Sequence, residues 1–133
     1  MSERFERGSA RMAELDPALQ PLVEQGMAGV SPDFARMVVE FGYGDVYTRP
    51  GLELQQRQLI AVTALTTLGH SPRQLRGHIG AALNVGLTPQ QIVETIIQAA
   101  LYAGFPAAMN ALTLAREVFA ERGVSPLPSS GDR

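Results

Sequence analysis

Four dipeptides that pair a helix-capping residue with proline divide this sequence: Asp16-Pro17, Ser31-Pro32, Ser71-Pro72 and Thr88-Pro89. A serine, threonine or aspartate side chain can accept a hydrogen bond from the free N–H groups of a first helical turn. Proline suits the first helical position because its φ angle is already helical. Each dipeptide therefore predicts the start of a helix. Gln74 and Gln91 follow Ser71 and Thr88 by three positions, so a capping box is predicted at both.

Apolar spacing supports one of these helices and predicts another. After Thr88, apolar residues recur at intervals of three and four positions as far as Gly104, which is typical of one helix face. The segment 53–68 is apolar or threonine on nearly every side, and we expect a helix buried on several sides that ends at Gly69. A buried strand is the alternative, but about 16 residues is long for a strand.

The fold class predicted from these patterns is all-α, with about six to seven helices in a compact domain. Further helices are expected over residues 4–15, 17–28, 32–41 and 105–122. The segment GYGDVYTRPG, residues 42–51, contains three glycines and a proline and predicts an ordered loop. We expect one domain over residues 1–122, followed by a disordered tail over residues 123–133, which are rich in Pro, Ser and Gly.

Composition excludes several functions. The chain has no cysteine, two histidines and a formal net charge of −2. A disulfide framework, a thiolate metal site and a thiol nucleophile are therefore excluded, and two histidines without a third ligand predict no metal site. The charge balance and low aromatic content predict no nucleic-acid partner. No apolar run is long enough to span a membrane, and we expect a cytoplasmic protein.

Small residues occupy one side of the helix predicted after Ser71: Gly77, Gly80, Ala81 and Asn84. Small side chains allow two helix backbones to approach closely. A short chain with an apolar central helix also leaves much apolar surface uncovered. We therefore expect the chain to form a homo-oligomer.

His78 is the first candidate for chemistry, because on a helix it lies at the edge of the apolar face formed by Leu75, Ile79 and Ala82. One interpretation is a structural histidine with a packed, hydrogen-bonded ring. The other is an acid or base that works with a partner from elsewhere in the fold. Spacing alone leaves both open. His70 follows Gly69 and is interpreted as a cation at a helix C-terminus.

Guanidinium and phenol groups form the second candidate class. Four arginines lie close together in the sequence: Arg49, Arg57, Arg73 and Arg76. Two converging guanidinium groups would suit a ligand carboxylate, whereas each alone would be a surface charge or an ion-pair partner. Three tyrosines are candidates to orient a substrate or to pack in the core: Tyr43, Tyr47 and Tyr102.

Three stretches resemble, in order and spacing, the carboxymuconolactone decarboxylase family: FGYGDVYTRPGLELQQRQL, QLRGHIGAALNVGLTPQQIVETIIQ and YAGFPAAMNALTLAREVF. The resemblance runs from about Pro32 to Phe119, and ERFERGSARMAEL is similar to the family's N-terminal helix. It implies an all-α, alkylhydroperoxidase D-like fold that assembles as a trimer or hexamer, with active sites near subunit contacts.

The resemblance also implies an activity. Members similar to this chain remove carbon dioxide from 4-carboxymuconolactone in the β-ketoadipate pathway of aromatic degradation, without a metal or an organic cofactor. A small anionic substrate is therefore implied, with His78 as the acid that returns a proton to carbon. Arg49 and Arg76 are the implied contacts for carboxylate and oxyanion groups. The implied substrate-binding residues are Arg57, Tyr102 and Tyr47.

Two other functions fit the same residues. One is another cofactor-free isomerase, cyclase or decarboxylase of a small carboxylic acid, and the other is a non-catalytic oligomeric module that binds a ligand. A catalyst is expected to gather His78 with Arg49 or Arg76 in one cleft.

Differences from the alkylhydroperoxidase D-like branch limit which activities this chain can have. That branch uses a C-x-x-C pair, an upstream glutamate and a histidine as a thiol peroxidase relay. This chain has Ser71 and Gln74 near the cysteine positions and Gln58 near the glutamate position. Of the four residues of the peroxidase relay, only the histidine is present, as His78. Thiol peroxidase chemistry is therefore excluded. Gln74 also stands where many decarboxylase-like relatives show E-L-R, which leaves the substrate open.

Overall fold

A computed structural model describes residues 1–128. Within them the chain forms seven α-helices and one π-helical segment: α1 (Glu3–Leu15), α2 (Leu19–Met27), α3 (Pro32–Met37), the π-helical segment (Val38–Val46), α4 (Leu54–Leu68), α5 (Pro72–Asn84), α6 (Pro89–Ala103) and α7 (Phe105–Arg122). These residues contain no strand, and the all-α prediction is confirmed. None of their helices has both the length and the apolar character needed to cross a bilayer.

Two of the four predicted caps form as expected. The Ser31 hydroxyl accepts the N–H of Phe34 at 3.2 Å and starts α3. At α6, Thr88 and Gln91 complete the predicted capping box: the Thr88 hydroxyl accepts the Gln91 N–H at 3.1 Å, and the Gln91 side-chain oxygen accepts the Thr88 N–H at 2.9 Å. The chain thus satisfies exposed backbone donors with its own side chains at these two helix starts.

The other two dipeptides behave differently. Helix α5 begins at Pro72 as predicted, but the capping box is wrong, because the Ser71 hydroxyl lies 3.1 Å from His70 Nδ1 and does not cap the helix. The prediction of a helix from Pro17 is also wrong at its start. The Asp16 carboxylate accepts the N–H of Ala18 at 2.9 Å in a turn, and α2 begins at Leu19.

The predicted loop over residues 42–51 is wrong for its first half, which belongs to the π-helical segment. Its glycine at position 44 serves close packing, because a Cβ there would lie 2.3 Å from the Arg4 carbonyl oxygen. A Cβ at Gly8 would likewise lie 2.1 Å from the Val39 carbonyl oxygen. The backbones of α1 and the π-helical segment therefore touch, and glycine is required at both positions.

Two compact units make up the chain. The first, Met1–Leu54, contains α1 to α3 and the π-helical segment. Its core lies between α1 and that segment and includes Met12, Leu15 and Val39, all fully buried. At its surface Arg4 Nη2 donates to Asp45 at 2.8 Å, and this hydrogen bond lowers the pKa of the Asp45 carboxyl.

The second unit, Gln55–Arg133, contains α5, α6, α7 and nearly all of α4. Its core is a cluster of aliphatic residues with one phenylalanine, and its largest members are Leu75, Ile79, Leu87, Ile92, Ile96 and Phe119. Helix α7 ends at Gly123, whose φ of +67° is left-handed. The prediction of one domain over residues 1–122 stays a prediction.

Two other predictions concern this unit. The predicted tail, residues 123–133, lies outside the described residues from position 129 onward, and before that the Val124 N–H donates to the Phe119 carbonyl at 3.0 Å. The small side of α5 is partly used inside the unit, since Gly80 and Ala81 are buried and a Cβ at Gly80 would lie 2.9 Å from Arg122 Nη2. As a face for subunit contact, the interpretation is wrong for these two residues.

Candidate active site

Helix α4 presents one buried stripe to the interior of the second unit. Gln58, Val62 and Thr66 recur every four residues, and their side chains are 0%, 1% and 1% exposed. Spacing of four places them one above another on a single helix face. Two of the three are polar, and burying a polar group costs free energy unless it is hydrogen-bonded. The polar residues of this stripe are therefore expected to have hydrogen-bond partners inside the unit.

Gln58 makes that interaction with His78 on α5. Gln58 Oε1 lies 2.9 Å from His78 Nδ1. Because a side-chain amide oxygen accepts hydrogen bonds and does not donate them, this contact is a hydrogen bond when Nδ1 carries the proton. In the neutral ring Nε2 then holds the lone pair, and it is the nitrogen at which a proton can be gained.

The surroundings of His78 disfavour the charged form of its ring. Burial lowers the pKa of His78 below its ordinary value, because the charged imidazolium loses solvation there. The group that contacts Nδ1 is a neutral amide. A carboxylate at that place would favour the charged ring, whereas the amide orients it without doing so.

Arg76 lies two residues before His78 on α5, so the two side chains leave the helix in nearly opposite directions. Its guanidinium contacts two carboxylates on α7: Nη1 donates to Glu117 at 2.9 Å, and Nη2 donates to Glu121. A substrate carboxylate at Arg76 would compete with both. The role of Arg76 as a carboxylate or oxyanion contact stays a prediction.

The other predicted residues are divided between the two units. In the second unit Arg57 is half-buried on α4 and Tyr102 is 80% exposed at the end of α6. In the first unit Arg49 is exposed after the π-helical segment, and Tyr47 stacks on buried Tyr43 with ring centroids 4.8 Å apart. The structure thus joins His78 to Gln58, and the roles predicted for these four residues stay predictions.

Sequence reasoning gave Gln58 no role in the site and recorded it only as a departure from a glutamate. A signal was present, because Gln58 continues the register of Val62 and Thr66 on the face that α4 buries. What the sequence does not show is the partner, which stands 20 positions further along the chain.

A cavity of about 310 Å³ lies elsewhere in the second unit, between the end of α4, the start of α5 and α7. Thr66, Ser71, Leu75 and Asn110 are among its lining residues, and His78 is not. Within residues 1–128, no group of three or more His, Asp or Glu side chains is placed to hold a metal ion. The His78–Gln58 pair therefore stands apart from this cavity.

Fold and site together define an all-α protein with a histidine held by a buried amide between two of its helices. Residues 32–117 match the model of the carboxymuconolactone decarboxylase family, and this span includes Gln58, His78 and all of the predicted site residues. The chain belongs to the carboxymuconolactone decarboxylase family, and the resemblance predicted from the sequence is confirmed.

Individual relatives agree with this assignment. The chain is 38% identical over 94 residues to 4-carboxymuconolactone decarboxylase of Acinetobacter baylyi, which covers 71% of this chain and 69% of that protein. It is 31% identical over 120 residues, 90% of each chain, to an uncharacterized 15.0 kDa protein of Paracoccus denitrificans. It is also 30% identical over 100 residues, 71% of this chain and 68% of the other, to nitrosuccinic acid decarboxylase of Metarhizium robertsii. Relatives that act as decarboxylases support a decarboxylase-type enzyme.

Proposed function

We propose that this protein is a cofactor-free decarboxylase of a small carboxylated lactone of the 4-carboxymuconolactone type, acting in the degradation of aromatic compounds. The observation that carries the proposal is the His78–Gln58 pair, which leaves one imidazole nitrogen able to carry a proton. The relative in Acinetobacter baylyi supports the choice of substrate.

The substrate itself supplies much of the chemistry. The carbon–carbon bond to the carboxylate breaks, carbon dioxide leaves, and the bonding electron pair spreads through the ring double bond to the lactone carbonyl as a dienolate. The imidazolium of His78 then gives its Nε2 proton to the substrate carbon and forms the new carbon–hydrogen bond. The imidazole of His78 returns to its neutral form. The protein must therefore hold the anion, stabilise the charge on oxygen and deliver one proton.

An anionic substrate also explains how a neutral histidine serves as the acid. A carboxylate bound beside the ring favours the imidazolium and raises its pKa, so His78 takes up a proton from solvent when the substrate arrives. The proton is then available at the step that needs it. We assign Arg49 and Arg57 to the substrate's anionic groups, and Tyr47 and Tyr102 to its positioning. Arg76 can join them only if its guanidinium leaves Glu117 and Glu121 and turns toward the side of α5 that carries His78.

We further propose that the enzyme is a homo-oligomer, a trimer or hexamer. The second unit presents large apolar side chains around the turn between α6 and α7, namely Leu101, Tyr102, Phe105 and Met109, each at least 65% exposed. Clustered exposed apolar side chains are typical of a protein contact surface. A second copy of this chain is the partner that the surface fits: in a hexamer built as a trimer of dimers, the same face on two copies can pair about a two-fold axis.

The test is an assay of the purified protein with 4-carboxymuconolactone, following carbon dioxide release and enol-lactone formation. His78→Gln keeps a polar side chain but cannot deliver the proton, and we expect kcat/KM to fall by about 100-fold or more. His70→Gln, which changes the other histidine, is the matched control and should keep wild-type activity. Absence of turnover by the wild-type protein, or full activity of His78→Gln, contradicts the proposal.

A second candidate is a decarboxylase of an acyclic carboxylic acid. The observation that favours it is the similarity to nitrosuccinic acid decarboxylase. A nitro group beside the breaking bond accepts an electron pair as a lactone carbonyl does, so the same protonated His78 would complete the reaction. Turnover of nitrosuccinate but not of the lactone, with the same loss in His78→Gln, would select this alternative.

A further inference from the structure

We propose that Gln58 is a positioning residue: it holds the His78 ring as the Nδ1–H tautomer, so that Nε2 alone takes up the proton and passes it to substrate carbon. The catalytic half of this proposal rests on the proposed function. The tautomer itself is a property of the free protein and can be measured without substrate.

The first argument is geometric. Gln58 is 0% exposed, and its oxygen is 2.9 Å from His78 Nδ1. An exposed glutamine could turn toward water at little cost, but a buried amide that loses its partner is left unsatisfied. The hydrogen bond is therefore expected to persist, and it restrains both the rotation of the imidazole about its side-chain bonds and the position of its proton.

The second argument concerns charge. A carboxylate in place of the amide would accept the same Nδ1–H bond but would also hold the ring in its charged form. The amide gives the orientation and leaves the ring neutral until an anion binds. An imidazolium that is not stabilised by a permanent carboxylate gives up its Nε2 proton more readily, which suits an acid that must protonate carbon.

Several charged groups around α5 form ion pairs or hydrogen bonds with other side chains. They lie on α5 and on the helices that contact it: Arg73 and Arg76 on α5, Arg57 on α4, Glu94 on α6, and Arg116, Glu117, Glu121 and Arg122 on α7. The two α7 carboxylates hold Arg76, and Arg122 donates to the Asn84 side chain at 2.7 Å. Burial is the cause of the low pKa of His78.

The experiment measures the tautomer and pKa of His78 by ¹⁵N NMR of the imidazole, with His78→Gln used to assign the two histidine signals. Variants are Gln58→Met, which removes the acceptor, and Gln58→Glu, which keeps it and adds a charge. Gln56→Glu adds the same charge to the exposed side of α4 and is the matched control. Thermal unfolding of each variant establishes that it is folded.

We expect a neutral wild-type ring protonated at Nδ1. Gln58→Met should shift the neutral ring toward the Nε2–H form, and Gln58→Glu should keep Nδ1–H while raising the pKa by about one unit or more, a tenfold change in the ionisation constant. Gln56→Glu should change the pKa much less. A wild-type ring protonated at Nε2, or a Gln58→Met ring that keeps the Nδ1–H form, overturns the proposal.

Activity separates positioning from a general structural role. With the lactone, Gln58→Met should lower kcat more than it raises KM, and Gln58→Glu should restore part of kcat and move the pH profile of kcat/KM to higher pH. A loss that is equal in the two variants and follows their unfolding temperatures contradicts positioning. A fixed tautomer in a wild-type protein that turns over no substrate overturns the proposed function and the proton transfer, while the Gln58–His78 tautomer stands.

Discussion

Gln58 and Thr66 show two outcomes for a polar side chain on one buried stripe of α4. Gln58 contacts an imidazole, whereas the Thr66 hydroxyl has no hydrogen-bond partner among residues 1–128. Thr63 and Thr67 on the same helix donate to carbonyls one turn earlier, each at 2.8 Å. The Thr66 hydroxyl therefore lies unpaired beside the cavity between α4, α5 and α7, and replacing it measures what an unsatisfied polar atom costs there.

Replacing Thr66 with valine keeps the side-chain shape and removes the unpaired hydroxyl. We expect Thr66→Val to stabilise the protein by about 1 kcal/mol, measured by urea unfolding. Thr63→Val is the control, because it removes a hydroxyl that has a partner and should be neutral or destabilising. A Thr66→Val protein less stable than wild type would mean that the hydroxyl is satisfied in solution.

His78 also links stability to pH. Its pKa is lowered in the folded chain, so below about 6.5, the ordinary histidine value, the unfolded chain binds a proton that the folded chain resists. Stability is therefore full above that pH and is lost as the pH falls through the folded pKa. We expect the unfolding temperature of His78→Gln to depend less on pH between about 7.5 and 5 than that of wild type, whereas His70→Gln should keep the wild-type slope. Equal slopes for His78→Gln and wild type would contradict the linkage.

At the scale of single residues, the sequence indicates His78 as a candidate for chemistry but does not show that Gln58 is its partner. His78 lies at the edge of an apolar face, and its ring is packed and hydrogen-bonded as the structural interpretation expects. The acid or base role stays a prediction, and it depends on which residue lies against Nδ1. That contact joins α4 to α5 and has no local signature, which is why Gln58 appeared first as a departure from a pattern.

At the scale of the element, helix existence was predictable and helix edges were less so. Thr88 and Gln91 find the N–H groups of their own helix start, and the predicted capping box forms. Ser71 and Asp16 carry the same chemistry, but each hydrogen-bonds a nearer competitor, His70 Nδ1 and the Ala18 N–H respectively. A capping side chain can hydrogen-bond any of several nearby groups, and the sequence does not show which of these hydrogen bonds forms.

The π-helical segment was missed for a related reason. Glycine favours turns, but it also permits two backbones to touch, and sequence alone does not separate these uses. We expect Gly44→Ala to destabilise the first unit by about 1–3 kcal/mol, because the new methyl group would overlap the Arg4 carbonyl oxygen.

Gly42→Ala is the matched control on the same segment, since a Cβ there meets no atom within 4 Å. It should be neutral or slightly stabilising, because alanine loses less conformational entropy than glycine on folding. Urea unfolding of both variants, followed by circular dichroism, measures the difference. Equal stability of the two variants would show that α1 and the segment are not in backbone contact.

For the whole molecule, fold class followed from sequence because it depends on many helix signals at once, and errors at single caps do not change it. Assembly depends on surface and is harder to read. The small side of α5 looked suited to a subunit contact, yet Arg122 of the same chain lies over Gly80. The apolar residues that α6 and α7 leave exposed did not stand out, because their helices also carry core residues at similar spacing.

The proposed oligomer gives a prediction that uses this surface. Leu101 is 74% exposed near the end of α6, and burying a charge there without a partner would oppose association. We expect Leu101→Lys to shift the protein from oligomer to smaller species in sedimentation velocity at micromolar concentration, without loss of helical circular dichroism. Leu127→Lys, at an exposed position beyond the end of α7, is the control and should sediment as wild type.

A wild-type protein that sediments as a monomer contradicts the proposed oligomer. A Leu101→Lys protein that stays assembled places the contact elsewhere, because a lysine that keeps its charge in a closed apolar contact would cost more than such a surface contributes.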